Sequence, residues 1–584
     1  MVRMEFSFNL LHYFKKIVSN ASLELEIEHD LFEPQMRIAD KRFGDFQANG
    51  ALPYAKSKGL NPREFAQKLA EKIPQNDFWK TSIAGPGFIN IKLSPKFFLH
   101  WLNELHDSDR THSLLRSESP KKITLDFSGP NTAKQMHVGH IRSTIIGESL
   151  ARLLELQGHK VIRDNHLGDW GTQFGILLHA IKRTETSLDL LGNEPVAVLE
   201  NLYRQGNSWV KEDPNSMEEA RQELVKLQSG DKENISLWQK IRDLSLGSFE
   251  KIYELLDVNF DHSLGESFYR DRVEKVYSSL LQHKICTEDQ GALVVFHPEH
   301  KRYAKQPFII RKSDGASNYA TTDLATIAFR TDEWDADHII YVTDGRQRDH
   351  FEQLFLTTRK WFEKERIACP EFSHVWFGTI LGEDNKAIKT RDGQPVKLID
   401  LLNEAIERAK KMVLEKNPEI GEQEIERRAK IIGLGAVRYA DLSQDRTLDY
   451  VFSWDKLLAL QGNTAPYLQY AVARIHSIFR KAKVNRLSLL DVKTPPQTEA
   501  SLKLARKICF FPLAIEQTTK ELKPHILCTY LYELATEFSS FYNQEKVMVS
   551  DQELQNIRLF LCAKTQIVLE IGLRVLGIQT LEEM

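Results

Sequence analysis

Residues 126–173 read DFSGPNTAKQMHVGHIRSTIIGESLARLLELQGHKVIRDNHLGDWGTQ. The stretch is entered through the β-type run Ile123-Thr124-Leu125-Asp126-Phe127, and a Ser-Gly-Pro-Asn turn follows. Apolar residues Ile141, Ile145, Ile146, Leu150, Leu153 and Leu154 then recur at helical spacing. Gly158 stops that helix, and Lys160-Val161-Ile162-Arg163 reads as a second strand. The spacing predicts a strand–helix–strand unit with its polar residues crowded at the first turn. A helix N-terminus presents free N–H groups and the positive end of the helix dipole, which suits phosphate. His137 and His140, three apart at that turn, are placed to meet one anion together.

His137-Val138-Gly139-His140 resembles the HIGH signature of class I aminoacyl-tRNA synthetases. The flanks sharpen this. Ser-Gly-Pro-Asn-Thr-Ala-Lys before it and Gly-Asp-Trp-Gly-Thr-Gln-Phe-Gly after it resemble the arginyl-tRNA synthetase family. The resemblance spans nearly the whole chain. It implies an α/β protein: a Rossmann-type class I catalytic domain with an insertion, an N-terminal α/β add-on domain and a C-terminal all-α anticodon-binding bundle.

Composition agrees with a soluble, multidomain protein. The chain has 584 residues, 42% hydrophobic and 27% charged, which is too long for one core and points to about three or four domains. Net charge is −3, so a nucleic-acid surface must be a local basic patch. Cys286, Cys369, Cys509, Cys528 and Cys562 are scattered, with no CxxC pair. That favours a reducing compartment and argues against a thiolate zinc site. No apolar run reaches transmembrane length, and Glu5, Asn9 and His12 interrupt the first apolar residues, unlike a signal peptide. The expected location is cytoplasmic, with no membrane association.

Working outward, residues 1–110 are expected to form the add-on domain. Phe6, Leu10, Tyr13, Phe14, Ile17 and Val18 make a helical stripe. Asn61-Pro62-Arg63-Glu64 is a helix start, with an Asn cap and Pro in the first turn. Residues 88–93 alternate as a strand. Residues 107–122 are polar and read as a linker. The catalytic domain is expected over 111–400. Between about 185 and 300 the βαβ rhythm breaks into charged helical segments, read as an insertion with a solvated face. Strand signals return at 307–310 and 338–342. Ligands of doubly wound sheets sit at the carboxyl ends of strands, which groups residues 126–131, 319–323 and 344–347 around one crevice. Residues 401–455 read as a helical stem and 456–584 as the helical anticodon-binding domain.

Lys389-Thr390-Arg391-Asp392-Gly393 occupies the place of the second class I signature, KMSKS. Lys389 and Arg391 stand where that signature has two lysines. The resemblance assigns the missing charge to Lys134, just before the histidines. The expected catalytic set is therefore His137, His140, Lys134, Lys389 and Arg391. ATP is assigned to His137, Gly139, His140 and Lys389, with Gly139 leaving the helix backbone open to the adenine ring. Both reacting groups of amino-acid activation are anionic, so in-line placement and cations carry the chemistry.

Arginine as substrate demands carboxylates, because a planar guanidinium pairs best with bidentate anions. By resemblance Asp126 and Asp323 are those acids, and Tyr319 lines the side-chain pocket. Ser128, Gly129, Pro130, Asn131, His140 and Gln347 then surround the amino-acid end. Asp323 also fits a second reading, an ordinary helix N-cap. The expected tRNA contacts are Phe88 and Asn90 on the add-on domain and Ser443, Arg446 and Tyr450 near the stem. Arg446 is assigned to a phosphate and the aromatic rings to bases. Phe88 equally suits the core of a small sheet, and 443–450 equally suits a plain inter-helix turn.

The resemblance thus implies an arginine--tRNA ligase that takes ATP, L-arginine and arginine tRNA, with transfer to the terminal 2′-hydroxyl. Magnesium is expected to arrive with ATP rather than in a protein cage, and no protein-held metal is expected. A monomer is the family expectation. The alternative is a catalytically inactive, synthetase-like tRNA-binding protein.

Overall fold

The structure is a computed structural model that describes residues 8–106, 109–313, 319–386, 388, 395–486 and 492–584. Two compact units emerge: Met1–Glu118, Leu156–Gly158 and Ala459–Met584 form one, and Ser119–Glu155 with His159–Leu458 form the other.

In the first unit, four antiparallel strands run in the order Met36–Ile38, Phe46–Ala48, Phe88–Leu93, Trp79–Ala84. Asn61 caps helix Pro62–Lys72, its side chain accepting from the N–H groups of Arg63 and Glu64. The helical stripe folds as Leu10–Leu23, capped by Asn9, while Phe6 lies outside the described residues. Among the described residues, five helices follow at the C-terminal end, from Ala465–Ala482 to Gln552–Val575. They share a core with the add-on sheet: the rings of Phe46 and Phe510 are 5.5 Å apart, and Arg506 Nε lies 2.7 Å from Asp45 Oδ1. The stretch expected to be a linker is partly helical instead, over Asp109–Leu114. Thr111 is fully buried there, and its Oγ1 accepts from His106 N at 2.8 Å.

In the second unit a parallel sheet runs Glu371–His374, His338–Tyr341, Lys122–Asp126, Lys160–Asp164. The predicted strand–helix–strand is present as Lys122–Asp126, Gly139–Leu156 and Lys160–Asp164. Ile141, Ile145, Ile146, Leu150, Leu153 and Leu154 are all buried, as their spacing requires. The predicted strand near 307–310 exists as Phe308–Arg311, but it pairs antiparallel in a separate three-stranded sheet with Thr287–Asp289 and Ala292–Val295. It therefore adds no end to the crevice. The insertion is helical over Pro195–Glu212, Pro214–Gln228 and Lys232–Leu255. Its apolar faces, among them Leu199, Leu202, Leu227 and Ile241, pack against Leu177 and Leu178 of helix Thr172–Arg183. Helices Leu398–Lys416 and Glu422–Leu442 also belong to this unit.

Candidate active site

The order of the parallel sheet reverses between Lys122–Asp126 and His338–Tyr341, and such a switch point opens a crevice at the strand ends. A cavity of ≈ 680 Å³ lies there. Chain leaves the first strand sharply: Ser128 and Gly129 have φ of 71° and 55°. Ser128 holds this left-handed position through its surroundings. Its N–H donates to Ser143 Oγ at 2.9 Å, and its Oγ pairs with Tyr253 Oη at 2.8 Å. Ser143, on the histidine helix, donates in turn to Val342 O at 2.6 Å, which ties the helix to both strand ends. Gly129 N donates to Asn165 Oδ1 at 3.1 Å.

Asn131 bridges to Gly168 of the Gly-Asp-Trp-Gly run. A Cβ on Gly168 would fall 1.9 Å from Asn131 Oδ1, so glycine is needed for the asparagine to keep its place. Pro130 is buried behind the cavity wall, and its carbonyl accepts from Gly168 N at 3.2 Å.

The two histidine rings lie side by side. Their ring centroids are 4.0 Å apart, and His137 N donates to His140 Nδ1 at 3.1 Å. His137 itself precedes the helix, which starts at Gly139. Burial lowers the pKa of His137, and burial together with His137 lowers that of His140 to about 4. Both shifts favour the uncharged rings, which can donate or accept without carrying a cation. Gly139 is exposed, but its open face is covered in this structure by the His137 ring: a Cβ would lie 2.8 Å from His137 Cε1. Lys134 is exposed, with Nζ 5.5 Å from the centroid of the Tyr203 ring on the insertion. Lys389 and Arg391 lie outside the described residues.

Asp126, Glu266, Asp323 and Asp344 all line the cavity. Asp126, expected to receive the substrate guanidinium, ends the first strand and is engaged instead by the chain's own Arg330, whose Nη2 donates to it at 2.6 Å and to Asp164 Oδ2 at the same distance. Burial opposes the charge on Arg330, but Asp126 and Asp164 outweigh it and hold its pKa well above the ordinary value. Asp323 lies inside helix Tyr319–Asp332 rather than at its cap. Its Oδ2 is 2.5 Å from His350 Nε2. Burial pushes His350 down, yet the hydrogen bond and charge of Asp323 leave its pKa raised. Tyr319 opens the same helix, 69% exposed at the cavity rim, and Gln347 faces the cavity from the turn after His338–Tyr341.

Among the described residues, no group of three or more His, Cys, Asp or Glu could hold a metal ion. None of their helices is long and apolar enough to cross a membrane.

Residues 104–454 match the family model for tRNA synthetases class I (R), catalytic domain. Residues 9–93 match the arginyl tRNA synthetase N terminal domain, and 468–584 the DALR anticodon binding domain. The chain is 41% identical over 560 residues to a Klebsiella pneumoniae protein named arginine--tRNA ligase, covering 94% of this chain and 96% of that protein. It is 42% identical over 562 residues to an Escherichia coli protein of the same name, with the same coverage. The chain belongs to the arginyl-tRNA synthetase family. The fold agrees: the arginyl-tRNA synthetase structure from Plasmodium falciparum superposes with a TM-score of 0.82 at 29% identity, covering 98% of this chain and 99% of that one.

Several residues expected to touch tRNA sit differently from the prediction. Asn90 is 2% exposed and accepts from Gln47 Nε2 at 2.7 Å, so it braces the add-on sheet instead of presenting to a base. Phe88 is half-buried at the strand start, with the Arg37 guanidinium 5.9 Å from its ring centroid. Arg446 is buried, and its Nη1 donates to Trp376 O at 2.6 Å, which removes it from a phosphate-facing surface. Burial lowers its pKa to about 10. Tyr450 pairs with Ile380 in a short parallel strand, and its ring lies 5.2 Å from the Arg142 guanidinium. Ser443 is half-buried at the C-terminus of helix Glu422–Leu442.

Among the cavity residues absent from the predicted set, Glu266 carries an acid. Glu266 faces the space beside Asp323, and burial, then Asp323 and Asp169, raises its pKa to about 8. It comes from the end of the insertion, brought in where Gly265 bridges Leu167. Gly265 packs on Asp169, and a Cβ there would fall 2.1 Å from the Asp169 Cγ. No periodicity marks Glu266 in the sequence; the only local sign is a glycine before an acid in an otherwise polar turn.

Proposed function

We propose that this chain is an arginine--tRNA ligase: it joins L-arginine to arginine tRNA at the cost of ATP. In the first step a carboxylate oxygen of arginine attacks the α-phosphorus. A bond forms between them, the α–β phosphoanhydride breaks, and pyrophosphate leaves. In the second step the terminal 2′-hydroxyl of the tRNA attacks the activated carbonyl, its proton is lost, and AMP departs. The observation that carries this reading is chemical: Asp323 and Glu266 stand in one cavity with the His137–His140 pair, inside a family match that covers the chain.

In this reading Asp323 and Glu266 receive the guanidinium, with Tyr319 along its stem. Ser128, Gly129, Asn131 and Gln347 hold the amino-acid end, Asp126 and Pro130 shape it from behind, and His140 meets its carboxylate. His137 and His140 donate to the phosphates, and Gly139 gives the adenine space once the His137 ring turns toward the phosphates. Lys134, Lys389 and Arg391 supply the positive charge that follows electrons onto pyrophosphate. Magnesium enters with ATP as a substrate complex. Phe88 and Ser443, neither fully buried, are the tRNA contacts we retain. We divide the chain into an add-on domain at 1–110, a catalytic domain at 111–400, a stem at 401–455 and an anticodon-binding domain at 456–584. The five cysteines, free of disulfides, suit a cytoplasmic protein, and we propose that it acts there as a monomer.

The test is incubation of the purified chain with labelled arginine, ATP, magnesium and total tRNA. Acid-precipitable arginyl-tRNA is expected. Binding of tRNA without charging would instead favour an inactive tRNA-binding protein.

A further inference from the structure

A buried ion pair behind the cavity wall has no part in the reaction as written above. Arg142 follows His140 by two residues on the same helix, and its side chain is 1% exposed. Its Nε lies 3.0 Å from Asp441 Oδ2, whose side chain is 2% exposed. Its Nη1 donates to Gly378 O at 2.7 Å and to Leu448 O at 3.2 Å. The rings of Phe377 and Tyr450 lie 5.6 and 5.2 Å from the guanidinium carbon. One side chain thus ties its own helix to two segments far away in sequence, at 377–378 and 441–450.

The strip that Arg142 grips reaches the cavity. Phe377 lines it, and the Phe377 carbonyl accepts from Gly345 N at 2.9 Å, next to the Asp344–Gln347 turn. Gly378 is pinned on its other side: its N–H donates to Arg446 O at 2.9 Å, and a Cβ there would fall 2.5 Å from Asp449 Oδ1. A buried ion pair adds little stability over an apolar pair of the same size. A planar guanidinium fork does impose distance and direction on its acceptors. The charges are better explained by geometry than by stability.

We propose that Arg142, held by Asp441, is a positioning residue for arginine activation, fixing the Phe377–Leu381 strip in register with His140. The proposal rests on the ligase reading. It concerns the rate of the chemical step rather than affinity for arginine, because neither side chain lines the cavity that would receive arginine.

The test uses the full chain carrying Arg142→Met and Asp441→Leu together, an exchange of ion pair for apolar pair that buried sites commonly tolerate. Tm is measured, and steady-state charging of arginine tRNA is compared with wild type. The expected result is a near-wild-type Tm, kcat lower by about 10- to 100-fold, and KM for arginine within about twofold. Wild-type kcat overturns the proposal, as does a rise in arginine KM equal to the loss in kcat. Should the double variant fail to fold, Arg142→Lys keeps the charge facing Asp441 but lacks the fork. The same kcat loss at unchanged KM is expected of it. Full activity, or unfolding of this variant as well, overturns the positioning role. Wild-type charging separates the two readings. If wild type charges no arginine, the ligase reading fails; if it charges and the variants match it, only the role of Arg142 fails.

Discussion

Arg330 Nη2 stands 2.6 Å from Asp126 Oδ2. The guanidinium is completely buried and also holds Asp164, so its single positive charge bridges two acids at the ends of adjacent strands. Removing it would leave two buried acids facing each other. Arg330→Met is therefore expected to cost about 3–5 kcal/mol of stability. Urea denaturation checks this. A loss under about 1 kcal/mol would show that Arg330 is dispensable to the fold.

Asp323 is expected to act on substrate instead. It sits inside a helix, where alanine is well tolerated, and its hydrogen bond and charge raise the pKa of the neighbouring His350. Asp323→Ala should keep its circular-dichroism spectrum and raise arginine KM strongly, for a loss of about 2–5 kcal/mol in binding. Ordinary arginine affinity in that variant would remove Asp323 from the guanidinium site.

Glu266 makes arginine binding pH-dependent. Its pKa is raised to about 8, so below that pH the free site holds it protonated. A bound guanidinium favours the carboxylate and lowers the pKa, so binding releases a proton. Affinity for arginine should then rise as pH goes from about 6 to about 8, by at most about tenfold per unit. Calorimetry in buffers of different ionisation enthalpy measures the proton release. Glu266→Gln should flatten the slope; an unchanged slope would assign the proton elsewhere.

Gly168→Ala tests the wall around Asn131. The new Cβ would sit 1.9 Å from Asn131 Oδ1, so the asparagine must leave or the turn must open. Arginine KM should rise at least about tenfold, since small misplacements in a reacting site are costly. A Gly168→Ala enzyme with wild-type KM would show that Asn131 does not hold the amino acid.

Much of this was legible in the sequence where the signal is local. The turn from Asp126 to Asn131, the histidine helix and the Asn61 cap all follow from neighbouring residues. Pairing is less local, and there the sequence misleads. Phe308–Arg311 has the alternation of a strand but nothing that says which sheet it joins. Arg446 looks like a surface cation because its acceptor, the Trp376 carbonyl, is 70 residues away. Glu266 and Arg330 are invisible for the same reason: each gains its meaning from partners on other segments. Asn90 looked available for a base because its buried partner, Gln47, lies on a neighbouring strand.

The most direct measurement is aminoacylation of total tRNA with each of the common amino acids in turn, under the same ATP and magnesium. The acids of the cavity predict charging by arginine and by no other. Charging by an amino acid without a cationic side chain would contradict the account at its centre, leaving Asp323 and Glu266 with nothing to pair.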